Sequence, residues 1–102
     1  MTKAVYVVAD IEIIDRKGYA VYEAGFMPIL ATHNGKLLAV DDTPIELEGD
    51  QSSLRRVIIR FDSATEARAW YESEAYQALM KHRLSASDGR VAIVEGIELP
   101  AR

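Results

Sequence analysis

Four short segments of the chain are rich in β-branched and other apolar residues, which is the pattern of β-strands. The predicted strands are residues 4–12, 36–40, 54–61 and 90–97. Between them, apolar residues recur at three- and four-residue spacings, so we expect a helix after the first strand and another after the third.

The first predicted helix has clear end signals. Asp15 is placed to cap its start, and Asn34-Gly35 to end it, because both of those last residues tolerate positive φ. Pro28 removes a backbone donor inside the helix, so we expect a kink or a restart near Met27.

The second predicted helix begins at a capping box, residues 63–66, and we expect a second cap within it at Ser73. In the acidic segment 41–53, the apolar alternation of Ile45 and Leu47 predicts an extension of the second strand, followed by a turn at Gly49-Asp50. A further turn is expected at residues 87–89, just ahead of the last strand.

The predicted order is β-α-β-β-α-β, the ferredoxin-like α+β pattern, with a four-stranded antiparallel sheet and both helices on one face. A length of 102 residues fits a single domain, so we assign residues 1–102 to one ferredoxin-like unit.

Both faces of the first and last predicted strands are apolar. Alternating positions of the first strand place Val5, Val7, Ala9 and Ile11 on one face, and Tyr6 and Val8 on the other. Helices would cover only one face of the sheet, and soluble monomers rarely expose a large apolar patch. We therefore expect a homodimer joined through the uncovered face, about a two-fold axis.

The amino-acid composition limits the kinds of partner and the compartment that we expect for this protein. The chain has no cysteine, which excludes disulfides and thiolate chemistry and fits a reducing compartment. A net charge of −4 argues against nucleic acid as a partner. No stretch is long and apolar enough for a membrane helix, and no signal peptide is evident, so we expect a cytoplasmic protein.

Several segments resemble a known bacterial family. They are Tyr19-x-x-Tyr22 with Pro28, the Leu47-Glu48-Gly49-Asp50 run, Phe61-Asp62-Ser63, Ala69-Trp70-Tyr71-x-Ser73-x-x-Tyr76-Gln77, Arg83, and Val94-Glu95-Gly96. Together they resemble the uncharacterised family called domain of unknown function 1330, over nearly the whole chain.

The resemblance implies a dimeric α+β barrel, in which two ferredoxin-like units pack sheet to sheet. It implies relatives among small cofactor-free monooxygenases, muconolactone isomerase-like proteins and heme- or stress-related enzymes. The chain departs from the family at two places. It has Asn34-Gly35-Lys36 where members carry a Gly-Gly-Arg segment, and Val40-Asp41-Asp42 where they carry an Arg-Gly-Gly run, so that an acidic pair replaces a basic residue. A shared fold does not supply a function.

Arg83 is the leading candidate for ligand binding. It follows Tyr76 by seven residues and Leu79 by four, so it extends the inward stripe of the second helix. The guanidinium can clamp a carboxylate with two donors. The simpler alternative is a cation that stabilises the end of the helix.

Five large aromatic residues on the two helices are candidate pocket walls. They are Tyr19, Tyr22, Trp70, Tyr71 and Tyr76. Such stripes usually form core, and we favour core for Trp70, yet a cavity lined by aromatic rings with polar tips is also the common form of a small-ligand site.

Candidate acid–base residues are His33, Tyr22 and Asp10. Arg56 and Arg60 share one strand face, and we expect them to pair with carboxylates such as Asp10 and Glu12, since unpaired buried charge is costly.

Two classes of function follow from these residues. One is an enzyme without a cofactor, monooxygenase- or isomerase-like, acting on a small organic acid or aromatic metabolite. The other is a non-catalytic ligand-binding or stress-associated dimer. Two histidines and no cysteine make a metal site improbable, so we expect neither metal nor cofactor.

Overall fold

Strands form where β-branched and aromatic residues alternate with polar ones. They are β1 Val5–Ile13, β2 Lys36–Asp41, β3 Arg55–Phe61 and β4 Ser87–Glu95. The computed structural model describes residues 3–50 and 54–97. The strands pair in the order β2-β3-β1-β4, and every pair is antiparallel.

The helices are α1 Arg16–Thr32, α2 Ala64–Glu72 and α3 Glu74–Ala86. Asp15 caps α1 by accepting a hydrogen bond from the Gly18 N–H, as predicted. Ser73 ends α2 and its hydroxyl caps α3 by accepting from the Tyr76 N–H at 3.1 Å. The element order is thus the predicted ferredoxin-like one, with the second helix divided at Ser73.

The predicted restart of α1 near Met27 is wrong. The helix continues through Pro28 as far as Thr32. Leu30, in the turn after the proline, is fully buried, and packing of this kind outweighs the cost of one missing backbone hydrogen bond. The helix ends where predicted, because Asn34 adopts a φ of 61°.

The predicted extension of β2 is also wrong. The strand stops at Asp41, and Ile45 and Leu47 are 89% and 91% exposed. Asp41 already pairs with Arg56, and β3 begins at Arg55, so a longer β2 would have almost no neighbour left to bond. The expected turn holds Gly49 at a φ of 89°; the rest of that segment, residues 51–53, lies outside the described residues.

No turn separates α3 from β4, contrary to prediction. Ser87, Asp88 and Gly89 belong to β4 and pair with Ile13, Glu12 and Ile11 of β1. A side chain at Gly89 would collide with the carbonyl oxygen of Asp10. This glycine allows two backbones to approach closely, a role that has the same sequence signature as a turn.

The core lies between the helices and one face of the sheet. Odd-numbered residues of β1 are buried there, together with Ile59 and Phe61 of β3 and the helix residues Leu30, Ala67, Trp70 and Tyr76. We call the other face of the sheet the open face; its apolar residues are Tyr6, Val8, Ile58, Ala92 and Val94. No helix in the described part of the chain is long and apolar enough to span a bilayer.

Candidate ligand-binding site

A cavity of about 170 Å³ lies between the covered face of the sheet and the helices. Inward-facing residues of all four strands form its floor, and side chains of α1, α2 and α3 form its roof. Most of the lining is aliphatic or aromatic. The lining residues that carry polar side-chain atoms are Arg83, Tyr19, Tyr22, Tyr76, Trp70, Arg55 and Glu23.

Arg83 is buried in the last turn of α3 and lines this cavity. Only 6% of the residue is exposed, although it carries a charge. Its guanidinium lies over the ring of Tyr22, with 5.9 Å between the central carbon and the ring centroid. Its Nε–H has no acceptor, and among the described residues no carboxylate forms an ion pair with it.

Two tyrosine hydroxyls meet in the same cavity. The oxygens of Tyr22 and Tyr76 lie 2.7 Å apart, one donating to the other. Burial, and then the neighbouring Tyr76 hydroxyl, raise the pKa of Tyr22 far above its ordinary value. The Tyr22 hydroxyl therefore stays protonated at neutral pH and can donate a hydrogen bond.

Trp70 closes one side of the cavity from α2. It is 2% exposed, and its ring centroid lies 4.3 Å from that of Tyr76 and 5.5 Å from that of Phe61. Its Nε1–H is buried and has no acceptor among the described residues. A buried indole N–H usually has one, so this donor is a second unmet polar group.

Arg55 and two carboxylates form an ion cluster at the rim of the cavity. Arg55 donates to Glu23 at 2.8 Å. It also donates two hydrogen bonds to Asp42, from Nε at 2.5 Å and from Nη2 at 3.2 Å. These hydrogen bonds lower the pKa of Asp42. Arg55 also lies over Tyr19, 5.3 Å from its ring centroid. Burial raises the pKa of Tyr19, partly opposed by Arg55.

A family model described as "Domain of unknown function (DUF1330)" matches residues 4–97 of the chain. The chain belongs to the DUF1330 family. No curated protein matches it.

Solved structures share the fold of this DUF1330 domain. A protein of unknown function from Rhodopseudomonas palustris has a TM-score of 0.79 at 16% identity, over 97% of this chain and 86% of that chain. SnoaB, a cofactor-independent oxygenase from Streptomyces nogalater, has a TM-score of 0.62 at 12% identity, over 96% of this chain and 97% of that chain. A protein from Shewanella oneidensis has a TM-score of 0.64 at 10% identity, over 94% of this chain and 93% of that chain. At these identities the likeness shows the fold, which is the predicted ferredoxin-like one.

The structure brings five of the predicted site residues of this DUF1330 domain together. Tyr19, Tyr22, Trp70, Tyr76 and Arg83 all line the cavity.

The other two predicted residues lie elsewhere. Asp10 accepts from Arg56 Nε at 2.7 Å on the open face, because its even position in β1 points it away from the helices. His33 is the C-terminal cap of α1, and its backbone N–H donates to Leu30. Arg60 pairs with Asp62 at 2.7 Å, a partner that the sequence reasoning did not name.

Sequence reasoning missed Arg55 and Glu23. A signal for Arg55 was present, because strand alternation places it on the same face as Val57, Ile59 and Phe61. A charged residue at the start of a strand face that is otherwise apolar and buried indicates a position at the edge of a cavity. Among the described residues, no three His, Asp or Glu side chains cluster closely enough to hold a metal ion.

Proposed function

We propose that this protein binds a small carboxylic acid in the cavity between the helices and the sheet, with Arg83 as its counter-ion. The observation that carries the proposal is the burial of Arg83 in the cavity lining without an ion-pair partner among the described residues.

A buried guanidinium without a counter-ion is unfavourable, because desolvation costs several kcal/mol per ion in a real protein. The contact with the Tyr22 ring offsets only part of this cost. A ligand carboxylate would offset more, because its two oxygens match the fork of the guanidinium. The site would then be complete only when it is occupied.

Cavity size limits the ligand. An engineered apolar cavity of about 150 Å³ admits benzene. The volume of about 170 Å³ here suits a single six-membered ring, or a chain of similar bulk, with a carboxylate attached. The aromatic walls favour an aromatic or unsaturated body.

The test is a thermal-shift screen with benzoate and cyclohexanecarboxylate, each paired with its uncharged amide. Ligands that bind only the folded state raise the melting temperature. We expect the two acids to stabilise the protein and the two amides to have little effect. Equal stabilisation by an acid and its amide would show that the charge of Arg83 is not the recognition element.

Catalysis without a cofactor, of a monooxygenase or isomerase kind, is a second candidate function. It is supported by the Tyr22 hydroxyl, a protonated hydrogen-bond donor held in an apolar cavity that Arg83 also lines. It is also consistent with the oxygenase description of the Streptomyces nogalater protein, which shares the fold only. The competing view is a non-catalytic binding or stress-associated dimer.

Mass spectrometry of acids from the screen, incubated with protein in air, separates these views. Turnover would appear as a product carrying one added oxygen atom or as an isomer with a new retention time. Tyr22→Phe should abolish turnover and keep binding. If the acids remain chemically unchanged but still stabilise the fold, the protein binds them without catalysis.

We also propose that two copies join through the open face. Tyr6, Val8 and Ile58 form an apolar centre there, and Val94 beside them is 49% exposed. The Arg56–Asp10 pair lies on the same face. A second copy would cover this patch, as expected for a two-fold interface.

Matched substitutions test the interface. Val94→Asp on the open face should give a monomer in light scattering at micromolar concentration. Val21→Asp is the control, because Val21 is equally exposed, at 50%, but lies on α1. A wild-type protein that is already monomeric would contradict the proposal.

A further inference from the structure

The mouth of the cavity lies on one side of α1. Among the described residues that line the cavity, three are exposed, namely Glu23, Met27 and Val40, and the others are buried or half-buried. Glu23 and Met27 are four residues apart on α1 and so lie on one side of it, whereas Val40 belongs to the edge strand β2. The cavity therefore opens to water between α1 and β2.

Arg83 lies on the opposite side of α1, where that helix packs against α3. The hydroxyl oxygen of Tyr22 is 2.7 Å from that of Tyr76 on α3, and Gly25 lets Leu79 of α3 approach closely. Arg83 also belongs to α3, and its guanidinium lies over the ring of Tyr22. At 3.6 residues per turn, position 27 is roughly 140° around α1 from position 22 and about 160° from position 25.

The cavity passes beneath α1 between these two sides. Tyr19 and Phe26, whose positions fall between the two sides on the sheet-facing surface of α1, line it as well. An α-helix with its side chains is about 10–12 Å across. A single ring with a carboxylate attached is shorter than that, so such an acid bound at Arg83 stops short of the mouth.

The mouth itself is largely apolar. Met27 is 50% exposed and Val40 is 49% exposed, while the carboxylate of Glu23 is engaged by Arg55. Single exposed apolar side chains are ordinary on a protein surface. Here, two of them border the open end of a cavity that contains a guanidinium without an ion-pair partner among the described residues. A ligand with an acid head and an apolar tail matches both ends.

We propose that the acid bound beside Arg83 carries an extended apolar chain, as medium-chain alkanoic acids do, which passes beneath α1 and leaves the cavity between Met27 and Val40. This inference rests on the proposed binding function and adds the chemical class of the ligand. Met27 and Val40 are then specificity-determining residues, because they contact the part of the chain that shorter acids lack.

A series of straight-chain acids tests the class. Heptanoate has as many carbon atoms as benzoate, whereas nonanoate and undecanoate are longer by two and four methylenes. A fully buried methylene strengthens binding about four-fold, so we expect about two-fold for each one at the half-exposed mouth. Titration calorimetry should therefore show nonanoate binding about four-fold and undecanoate about sixteen-fold tighter than heptanoate.

Matched substitutions on α1 locate the tail. Met27→Glu places a charge at the mouth, so the advantage of undecanoate over heptanoate should fall to about two-fold or less. Val21→Glu is the control, because Val21 is also 50% exposed on α1 but does not line the cavity. It makes the same change in net charge, and the advantage of undecanoate should persist.

Methionine methyl groups give a second readout in the natural protein. With ¹³C-methyl-labelled methionine, the Met27 resonance should shift much further with undecanoate than with heptanoate. Met80 is the internal reference, because it packs against the core and is not part of the cavity lining. Its resonance should respond equally to the two acids.

The outcomes distinguish the two proposals. If none of the acids binds, both the binding function and this inference fail. If heptanoate binds and undecanoate binds no tighter, the carboxylate site stands and the extended-chain inference is overturned. It is overturned as well if the advantage of undecanoate is the same in Met27→Glu as in Val21→Glu, or if the Met27 resonance does not respond to undecanoate that binds.

Discussion

Arg56 and Arg60 on the open face of the sheet have different surroundings from Arg83, which lies on α3 and lines the cavity. On the open face, Arg56 pairs with Asp10 at 2.7 Å and Arg60 pairs with Asp62 at 2.7 Å, and both arginine side chains are about a third exposed. On the cavity side, Arg55 of β3 pairs with Glu23 and Asp42 at the rim, whereas Arg83 of α3 is 6% exposed and no described carboxylate pairs with it.

The difference separates arginines whose charge is paired within the protein from one whose charge has no ion-pair partner among the described residues. An ion pair near water contributes little and costs little, whereas a buried unpaired charge is a net burden on the fold. Strained or unsatisfied groups of this kind concentrate at functional sites. The comparison therefore predicts opposite responses when the open-face arginines and Arg83 are replaced.

Removal of the cavity wall should have the largest effect. Trp70→Ala should lower the free energy of unfolding by about 3–5 kcal/mol, because a fully buried ring leaves a large void. Urea denaturation measures the loss. A midpoint unchanged from wild type would show that Trp70 is not packed. The cavity would then lack its wall, and its contrast with the open face would no longer hold.

Replacement of Arg83 by an apolar residue should stabilise the ligand-free protein. Arg83→Met removes the buried charge and keeps most of the volume, so we expect a gain of about 1–3 kcal/mol. The control is Arg56→Met on the open face, which deprives Asp10 of its partner and should give no gain. A destabilisation by Arg83→Met as large as that of a core truncation would mean that the charge already has a counter-ion.

Alkaline pH should weaken the covered face through Tyr22. The folded-state pKa of Tyr22 is raised above the unfolded value of about 10, so its contribution is complete below pH 10 and is lost as pH rises toward the folded pKa. This amounts to roughly 1 kcal/mol at pH 11. Tyr22→Phe should lose less stability than wild type between pH 9 and pH 11. Parallel losses in the two proteins would show that the hydroxyl is not shielded from water.

Loss of an open-face ion pair should have the smallest effect. Arg60→Met breaks its pair with Asp62, whose side chain is 68% exposed, so the denaturation midpoint should change little. Chemical denaturation at low and at high salt measures it, and the small difference should shrink further with salt. A loss of stability as large as that of Trp70→Ala would place Arg60 in a buried network instead.

The sequence predicted the topology well because periodicity and caps are local signals. Asp15, Ser63 and Ser73 cap their helices as expected, and strand alternation correctly grouped the residues that share a face of the sheet. The sequence prediction failed where the local structure depends on residues that are distant in sequence but close in space. Gly89 has the signature of a turn but lies in a strand, since only the approach of Asp10 explains the glycine.

The candidate site shows the same limit. Helical spacing predicted that Arg83 extends an inward stripe, but it could not show that no carboxylate would arrive opposite it. The ion cluster of Arg55 joins α1, β3 and the end of β2, three elements distant in sequence, so no local pattern predicts it. Asp10 and His33 were chosen for their chemistry, and their strand face and helix end place them outside the cavity.

The central claim is that the missing counter-ion of Arg83 is a ligand carboxylate. Its most direct test is benzoate-induced stabilisation measured in wild type, Arg83→Lys and Arg83→Met. The account predicts a clear rise in melting temperature for wild type, a much smaller rise for Arg83→Lys because a point charge cannot reproduce the two-donor fork, and none for Arg83→Met. Full benzoate stabilisation retained in Arg83→Met would contradict the account.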